Sequence, residues 1–211
     1  MSTLLPYVFT ITIVLAGTFA KAESPELEKN GFTPLMKGND VDQFEIVGLD
    51  QGGLVIKEGE IRLSGKAQGY VATKDSYHNY VLQFEWMYEK HSGKASDGNS
   101  GLLLHVQGPG KVWPQSIEAQ IWYKEFGSFF TLDGGKFNPK KDDPVARNKA
   151  LKPLGEWNRQ EVTCQDGAIL LKVNGSNYAS GVEANPDQGK IAWMFEGSPI
   201  RYRNLKIKQL K

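Results

Sequence analysis

Short segments with a period of two run along most of this chain, and turn signals separate them. In the stretch SIEAQIW, the apolar residues Ile117, Ala119 and Ile121 alternate with polar or aromatic ones, which is the pattern of a half-buried β-strand. Signals such as the Asn-Gly pair at 174–175 mark turns, and no long amphipathic helix interrupts the series. Many short strands without intervening helices predict an all-β fold, a two-sheet antiparallel jelly-roll sandwich. The following segments are predicted as strands: Gly53–Ile56, Glu60–Leu63, Tyr80–Tyr88, Gly101–Val106, Ser116–Tyr123, Gln160–Gln165, Ala168–Val173, Lys190–Phe195 and Ile200–Gln209.

The N-terminal segment has the features of a secretory signal. An apolar run from Leu4 to Ala20 ends in Ala20-Lys21-Ala22, which has the A-x-A form of a cleavage site. We therefore predict that residues 1–22 are a signal peptide, that cleavage follows Ala22, and that the mature protein is secreted or periplasmic. The alternative is an uncleaved membrane anchor, since no Lys or Arg precedes the apolar run. Residues 23–211 have a length that suits a single domain.

Charge and cysteine content restrict the partners. The chain of 211 residues has a formal charge of +1, and loss of residues 1–22 removes Lys21 and no acid, so the mature chain has a charge of zero. A nucleic acid or an anionic membrane would require a basic surface, so we expect neither as a partner and predict a neutral ligand. The single cysteine, Cys164, excludes an internal disulfide and a Cys-rich metal site.

Two acidic segments leave a metal site open. Carboxylates at 133–135 (Asp-Gly-Gly) and 142–143 (Asp-Asp) could offer oxygen ligands to a divalent ion such as calcium, although the spacing differs from that of an EF-hand loop. No cofactor is assigned on this basis. The sequence has no Gly-rich phosphate loop, no H-E-x-x-H and no G-x-S-x-G, so the signatures of phosphoryl transfer, zinc proteolysis and serine hydrolysis are missing.

One row of side chains carries groups that suit a ligand. Glu118, Gln120 and Trp122 place a carboxylate, an amide and an indole on one face of a predicted strand. In GLLLHV, the same alternation predicts that Leu103 and His105 share a face. These neighbouring groups predict a concave face that binds a sugar, because C–H faces stack on indole while hydroxyls require fixed donors and acceptors. An ordinary solvated sheet surface is the alternative.

The order of motifs extends this prediction. The stretches GFTPLMKGNDVDQFEI, GNSGLLLHV, SIEAQI, KPLGEWNRQEVTC, LLKVNG and GKIAWMFEGSPIRYRNLKIKQL follow one another, and they include N-S-G, E-x-Q, G-E-W-N and R-N elements. In this order the chain resembles the 3-keto-disaccharide hydrolase domain family, whose fold is a concanavalin A-like jelly roll, over nearly all of the mature chain. The family usually has Arg at the position of His105, Asp at that of Trp122 and Gln at that of Met194.

The resemblance implies a secreted bacterial protein that hydrolyses 3-keto-glycosides. A ketone at C3 acidifies the hydrogen on C2, so a base can remove it, the enolate can expel the group at C1, and hydration completes a net hydrolysis. Glu118 and His105 are then the candidates for proton transfer. Substrate binding is assigned to four residues: Gln120, Trp122, Asn99 and Ser100. Two other classes stay open, a non-catalytic carbohydrate-binding module and an interaction domain of the cell envelope, whereas a retaining glycosidase is disfavoured because the Glu118 strand offers only one acid.

Overall fold

The structure is a computed structural model that describes residues 30–89, 98–123 and 125–211. The predicted signal peptide, residues 1–22, lies outside the described residues. In the described part no helix is long and apolar enough to cross a membrane. The strands there are β1 (Thr33–Pro34), β2 (Phe44–Val47), β3 (Leu54–Lys57), β4 (Glu60–Leu63), β5 (Gly69–Thr73), β6 (Tyr80–Tyr88), β7 (Gly101–Val106), β8 (Ser116–Gln120), β9 (Phe129–Leu132), β10 (Lys136–Asp142), β11 (Asn158–Gln165), β12 (Ala168–Val173), β13 (Ser176–Asn185), β14 (Lys190–Phe195) and β15 (Ile200–Gln209).

These strands form two antiparallel sheets. The nine-stranded sheet has the order β10-β13-β12-β11-β6-β15-β4-β3, with β1 paired to β15, and the six-stranded sheet has the order β2-β5-β14-β7-β8-β9. Neighbouring strands in each sheet are often distant in sequence, as expected for a jelly roll. The predicted all-β, two-sheet sandwich is therefore confirmed.

The main core lies between the inner faces of the two sheets. The indole of Trp193 on β14 meets the ring of Phe84 on β6 edge-on, with centroids 6.0 Å apart. Burying an aromatic or aliphatic side chain of this size contributes about 1.5–3 kcal/mol, so the facing rows supply much of the stability. The apolar row of the predicted Ser116–Tyr123 strand is buried, and alternation in the predicted strands Tyr80–Tyr88 and Gly101–Val106 likewise corresponds to burial: Leu82, Phe84, Leu102, Leu104, Ile117, Ala119 and Ile121.

A second, smaller apolar cluster lies on the outer face of the six-stranded sheet. It joins Tyr70 of β5, Ala192 and Met194 of β14, and Leu103 and Val106 of β7. The central strands β5, β14 and β7 thus carry apolar side chains on both faces, and β7 is buried along its whole length. Few polar side chains therefore lie on the outer face, and apolar side chains surround them there.

The predicted strands agree closely with observed ones, but the prediction lacks six of the described strands: β1, β2, β5, β9, β10 and β13. Six predicted strands, including Tyr80–Tyr88 and Lys190–Phe195, have the observed bounds. The polar segment 126–150, which has no predicted strand, contains β9, β10 and helix α1 (Pro144–Ala150). The helix begins at Asp143, whose carboxylate caps the Ala146 N–H at 2.9 Å. Charged side chains on an edge strand such as β10 hid its strand character.

Candidate functional site

Strand pairing brings three polar or aromatic side chains together on the outer face of the six-stranded sheet. In the β7–β8 ladder Leu103 lies opposite Glu118, and Gly101 lies opposite Gln120. On the far side of β8, Phe130 of β9 lies opposite Glu118. Directly opposed residues project from the same face. The outer face therefore carries the side chains of Glu118, Gln120 and Phe130, next to apolar residues such as Leu103.

The other neighbour of β7 adds a second carboxylate. Trp193 of β14 pairs with Leu102, and the same register continued by three residues places Glu196 opposite Asn99. A hydrogen bond from the Asn99 N–H to the Ser198 hydroxyl, 3.0 Å long, shows that the two segments stay close beyond the last paired residues. We call Asn99, Glu118 and Glu196 the acidic patch.

The missing side chain of Gly101 makes room for the Glu118 carboxylate. A Cβ atom at this glycine would lie 2.2 Å from Oε1 of Glu118 and 2.9 Å from its Cδ, far inside van der Waals contact. Glu118 therefore leans across the surface of β7 toward β14. Gly101 is the residue that allows a side chain on β8 to approach one on β14.

Burial controls the charge of Glu118. The residue is only 5% exposed. Loss of water raises the pKa of its carboxyl to about 8, and the negative charge of Glu196 adds to the rise. Burial also raises the pKa of Glu196. Among the described residues neither carboxyl forms an ion pair.

The acidic patch presents hydrogen-bond acceptors that lack donors. Oε1 of Glu118, Oε2 of Glu196 and Oδ1 of Asn99 are buried and have no hydrogen-bond partner within the described chain. Buried polar atoms in folded proteins are nearly always paired, so three such atoms in one place require an explanation. A proton on one carboxyl, or the hydroxyl groups of a ligand, would supply the donors.

Gln120 and two aromatic rings border the patch. The Gln120 side-chain oxygen accepts the Trp122 backbone N–H at 2.8 Å, which fixes the amide and leaves its Nε2 hydrogens as donors. Trp122 is half-buried. Phe130 is 41% exposed, although it lies directly opposite a buried carboxyl. The edge of the patch thus combines a donor with exposed aromatic surface, as sugar-binding sites do.

The structure turns Ser100 away from this face. Its hydroxyl donates to the Met194 carbonyl at 2.7 Å and lies 2.7 Å from the Tyr202 hydroxyl on β15, inside the sandwich. The hydroxyl thus faces the core and not the patch. Its assignment to substrate binding is a prediction without support from this geometry, whereas Asn99 does lie in the patch.

His105 also faces inward, so the prediction that it shares a face with Leu103 is wrong. The register between β14 and β7 shifts at this point, and His105 has a φ of +58°, which marks a β-bulge. The extra residue reverses the alternation, so the ring packs edge-on against Tyr80 of the inner core, 5.9 Å between centroids. Nδ1 lies 3.0 Å from the Pro186 carbonyl, and burial lowers the pKa of His105 to about 4. The two predicted proton-transfer residues therefore lie on opposite faces of the sheet.

The acids considered for calcium binding are engaged elsewhere. Asp133 pairs with Lys111 at 2.8 Å, Asp142 with Arg147 at 3.4 Å, and Asp143 caps helix α1. No group of three or more His, Cys, Asp or Glu side chains suited to a metal ion occurs in the described part of the chain. These aspartates do not fit a shared calcium site.

Sequence reasoning missed three residues of the site. Six strands, β9 to β14, lie between Glu118 and Glu196 in the sequence, so only the pairing of β14 with β7 shows their proximity. Gly101 was predicted only as the first residue of a strand and as part of the N-S-G element, and Phe130 lay in a segment without a predicted strand. Aromatic and β-branched residues in FFTL, followed by the Asp133-Gly134 turn signal, would have indicated a strand at Phe130, although not its pairing with the Glu118 strand.

The sequence profile of the 3-keto-alpha-glucoside-1,2-lyase-like domain matches residues 31–208. That range includes strands β1 to β14 and all of β15 except its last residue. None of the curated proteins compared with the chain matches it significantly.

Solved structures with a similar fold include several that are named for carbohydrates. A presumed glycosyl hydrolase from Parabacteroides distasonis ATCC 8503 is 23% identical with a TM-score of 0.65, over 86% of this chain and 95% of that one. A carbohydrate-binding module from Bacillus subtilis is 7% identical with a TM-score of 0.58, over 83% and 100% of the two chains. Lectin I-B4 from Griffonia simplicifolia is 8% identical with a TM-score of 0.51, over 81% and 94%. At these identities the likeness shows the fold alone.

Proposed function

Since the chain belongs to the 3-keto-alpha-glucoside-1,2-lyase-like domain family, we propose that it cleaves 3-keto-glycosides at the acidic patch, with Glu118 as the proton-transfer residue. Family membership supports a carbohydrate-related function. The observation that carries the finer proposal is the buried Glu118 carboxyl, whose Oε1 has no partner within the described residues. A group that only stabilised the fold would have its oxygens paired.

The reaction requires a base strong enough to remove a hydrogen next to a ketone. In the proposed reaction Glu118 takes the hydrogen on C2 of the sugar as a proton, the electron pair of that bond forms a double bond between C2 and C3, and the carbonyl π electrons move onto the C3 oxygen, which gives an enolate. The enolate then re-forms the ketone, the C2–C3 double bond shifts to C1–C2, and the bond from C1 to the leaving oxygen breaks. The leaving oxygen takes up the proton that Glu118 accepted, which restores the carboxylate, and water then adds its hydroxyl to C1 and its proton to C2 to complete a net hydrolysis. A carboxyl with a pKa of about 8 is a far stronger base than an ordinary glutamate.

The remaining groups of the patch have supporting roles in this proposal. Gln120 can donate a hydrogen bond from Nε2 to the enolate oxygen, because its own oxygen is held by the Trp122 N–H. Trp122 and Phe130 offer aromatic surface for the C–H face of the sugar. His105 has no part, since its ring is packed in the core against Tyr80.

A second candidate function is carbohydrate binding without catalysis. It is favoured by the exposed ring of Phe130, 41% exposed beside the patch. The two candidates require different properties of Glu118, because binding needs its hydrogen bonds whereas elimination needs its basicity. Export through the predicted signal peptide stays a prediction and is compatible with either candidate.

The decisive experiment compares wild type with Glu118→Gln on a 3-keto-glucoside and on the matching ordinary glucoside, with and without EDTA. Wild type is expected to turn over only the 3-keto sugar, at a rate that rises with pH toward 8, because only the ionised carboxylate can accept the hydrogen. In Glu118→Gln we expect turnover to fall by about 10²-fold or more with sugar binding retained. Unchanged turnover would refute the role of Glu118. Binding without turnover by wild type would establish the binding module instead.

A further inference from the structure

We propose that Glu196 is a positioning residue whose negative charge holds a proton on Glu118, so that the two carboxyls titrate as one coupled pair. This inference deepens the proposed function and rests on it only for its consequence for turnover. The coupling itself is a property of the free protein. The coupling has three requirements. The two carboxyls must face the same space, no side chain may separate them and weaken their electrostatic interaction, and no cation may neutralise them.

The strand register meets the first requirement. Alternation on β14 places Ala192 and Met194 in the outer cluster, and Glu196 continues that row. Glu118 projects from the same face of β8, since Leu103 opposite it also belongs to the outer cluster. The two carboxyls therefore approach each other across β7 on one side of the sheet.

Gly101 meets the second requirement. The Glu118 carboxylate lies over this glycine, with Oε1 where a Cβ atom would otherwise be, 2.2 Å away. Met194 of β14 follows next in the same cross-strand row. No side chain of β7 therefore stands between Glu118 and β14 at this point. Since Glu118 and the Oε2 atom of Glu196 are buried, the medium between the two carboxyls screens their charges less than water does.

The third requirement concerns the groups that surround Glu118. None of those that face it from the elements described is cationic, and apart from Glu196 none carries a formal charge. They are Asn99, Gly101 and Leu103 from β7 and its N-terminal flank, Gln120 from β8, Phe130 from β9, and Met194 and Glu196 from β14 and its C-terminal flank. Glu196 itself also interacts with the phenols of Tyr88 and Tyr202, which stay uncharged because burial raises the pKa of both.

The unpaired oxygens give an independent reason for the proton. The patch contains three buried acceptors, one each on Asn99, Glu118 and Glu196, and the described residues offer them no donor. An ionised carboxylate only accepts hydrogen bonds, whereas a protonated one also donates. A proton on Glu118 therefore supplies a donor and removes one of two like charges. Two carboxyls at one site commonly ionise at different pH values for this reason.

The consequence for the proposed reaction is that Glu196 sets the basicity of Glu118. A carboxylate that is harder to ionise is a better proton acceptor once ionised. Glu196 does this without contacting the reacting atoms. Replacing it is expected to lower turnover at high pH while shifting the rising limb of the pH profile toward acid.

The test is a titration of the glutamate carboxyl carbons by NMR on the mature protein without any sugar. The Glu118 signal is assigned by its absence in Glu118→Gln. In Glu196→Gln we expect the midpoint of the Glu118 titration to move toward acid by about one pH unit, the size of coupling at which two groups titrate as a pair. Glu196→Asp keeps the charge and is expected to restore most of the shift. Glu125→Gln removes an exposed carboxylate next to the same strand and is expected to leave the midpoint unchanged.

Two results would overturn the pairing. The first concerns folded Glu196→Gln. The proposal is refuted if the titration midpoint of Glu118 in this variant equals the wild-type midpoint, or shifts no further than it does in Glu125→Gln. The second result uses wild type alone and applies if Glu196→Gln does not fold. When two groups are coupled, the NMR signal of each changes as the other ionises. A wild-type Glu118 signal that does not change as Glu196 ionises therefore refutes the proposal. Turnover takes no part in either result. A failed pairing is therefore distinguishable from a failed assignment of the reaction.

Discussion

Replacing Glu118 by Gln is expected to make the protein more stable at alkaline pH. The ordinary pKa of a glutamate carboxyl is 4.5, and burial raises that of Glu118 to about 8. Between these two pH values the folded protein keeps a proton that the unfolded chain has already released. The free energy of unfolding therefore falls as the pH rises through this window. Below the window the carboxyl is protonated in both the folded and the unfolded state, so its ionisation does not reduce the stability. The Gln side chain has the same shape and cannot ionise, so the free energy of unfolding of the variant does not fall in this pH window.

The size of the effect follows from the width of the window. A rise from 4.5 to about 8 spans roughly 3.5 pH units, and each corresponds to about 1.36 kcal/mol, so the loss at high pH is at most about 5 kcal/mol. Whole domains are stable by only about 5–15 kcal/mol. Ionisation of one carboxyl would thus consume a large part of the stability, and part of that effect belongs to the coupling with Glu196.

Urea unfolding at pH 5, 7 and 9 measures the effect directly. Wild type and Glu118→Gln are expected to differ little at pH 5 and by several kcal/mol at pH 9, with the variant more stable. Glu125→Gln, which removes an exposed carboxylate, is expected to follow wild type throughout. Parallel pH dependences for wild type and Glu118→Gln would refute the reasoning, since the carboxyl would then ionise as readily in the folded protein as in the unfolded chain.

Two further predictions concern the surroundings of Glu118. Gly101→Ala puts a Cβ atom 2.2 Å from the carboxylate and displaces it by more than an ångström, so we expect kcat/KM to fall by about 10²-fold. Gly110→Ala, whose Cβ makes only ordinary contacts from 3.6 Å, is expected to retain activity, and equal rates for the two variants would contradict the proposed fit. Phe130→Ala is expected to weaken sugar binding by up to about 10-fold in calorimetry, because an aromatic contact is worth about 0.5–1.5 kcal/mol. Val145→Ala, at a side chain 77% exposed on helix α1, is the control, and an unchanged affinity in Phe130→Ala would remove the ring from the site.

Alternation and turn signals were sufficient to predict the fold because they are local. The apolar row of Tyr80–Tyr88 is buried as a strand of the same bounds, since every second side chain must face the opposite sheet. The same reasoning placed Glu118 and Gln120 on the outer face without knowledge of their neighbours. Strands with charged or irregular sequences, such as Lys136–Asp142, gave no such signal because solvent covers much of their surface.

The composition of the site depended on features that alternation does not contain. His105 faces the core because one extra residue in β7 reverses the pattern, and a bulge of this kind has no apolar signature in GLLLHV. Glu196 enters the site through the register of β14 on β7, which joins residues nearly a hundred positions apart. Period-two alternation therefore placed His105 on the wrong face, and only the pairing of β14 with β7 shows that Glu196 belongs to the site.

The energetic cost of Glu118 bears on the choice between catalysis and binding. A lectin-like site gains from carboxylates that are ionised and well paired, since these accept hydroxyl hydrogen bonds at little cost to the fold. The acidic patch has the opposite character, because burial opposes ionisation of Glu118, the charge of Glu196 opposes it further, and the oxygens are left without donors among the described residues. Stability lost to a buried, poorly paired group is a common property of residues that perform chemistry. If a variant with both carboxyls replaced by Gln were more stable than wild type and still bound the sugar, the carboxyls would have no role in affinity, and proton transfer would be the function left to explain their cost.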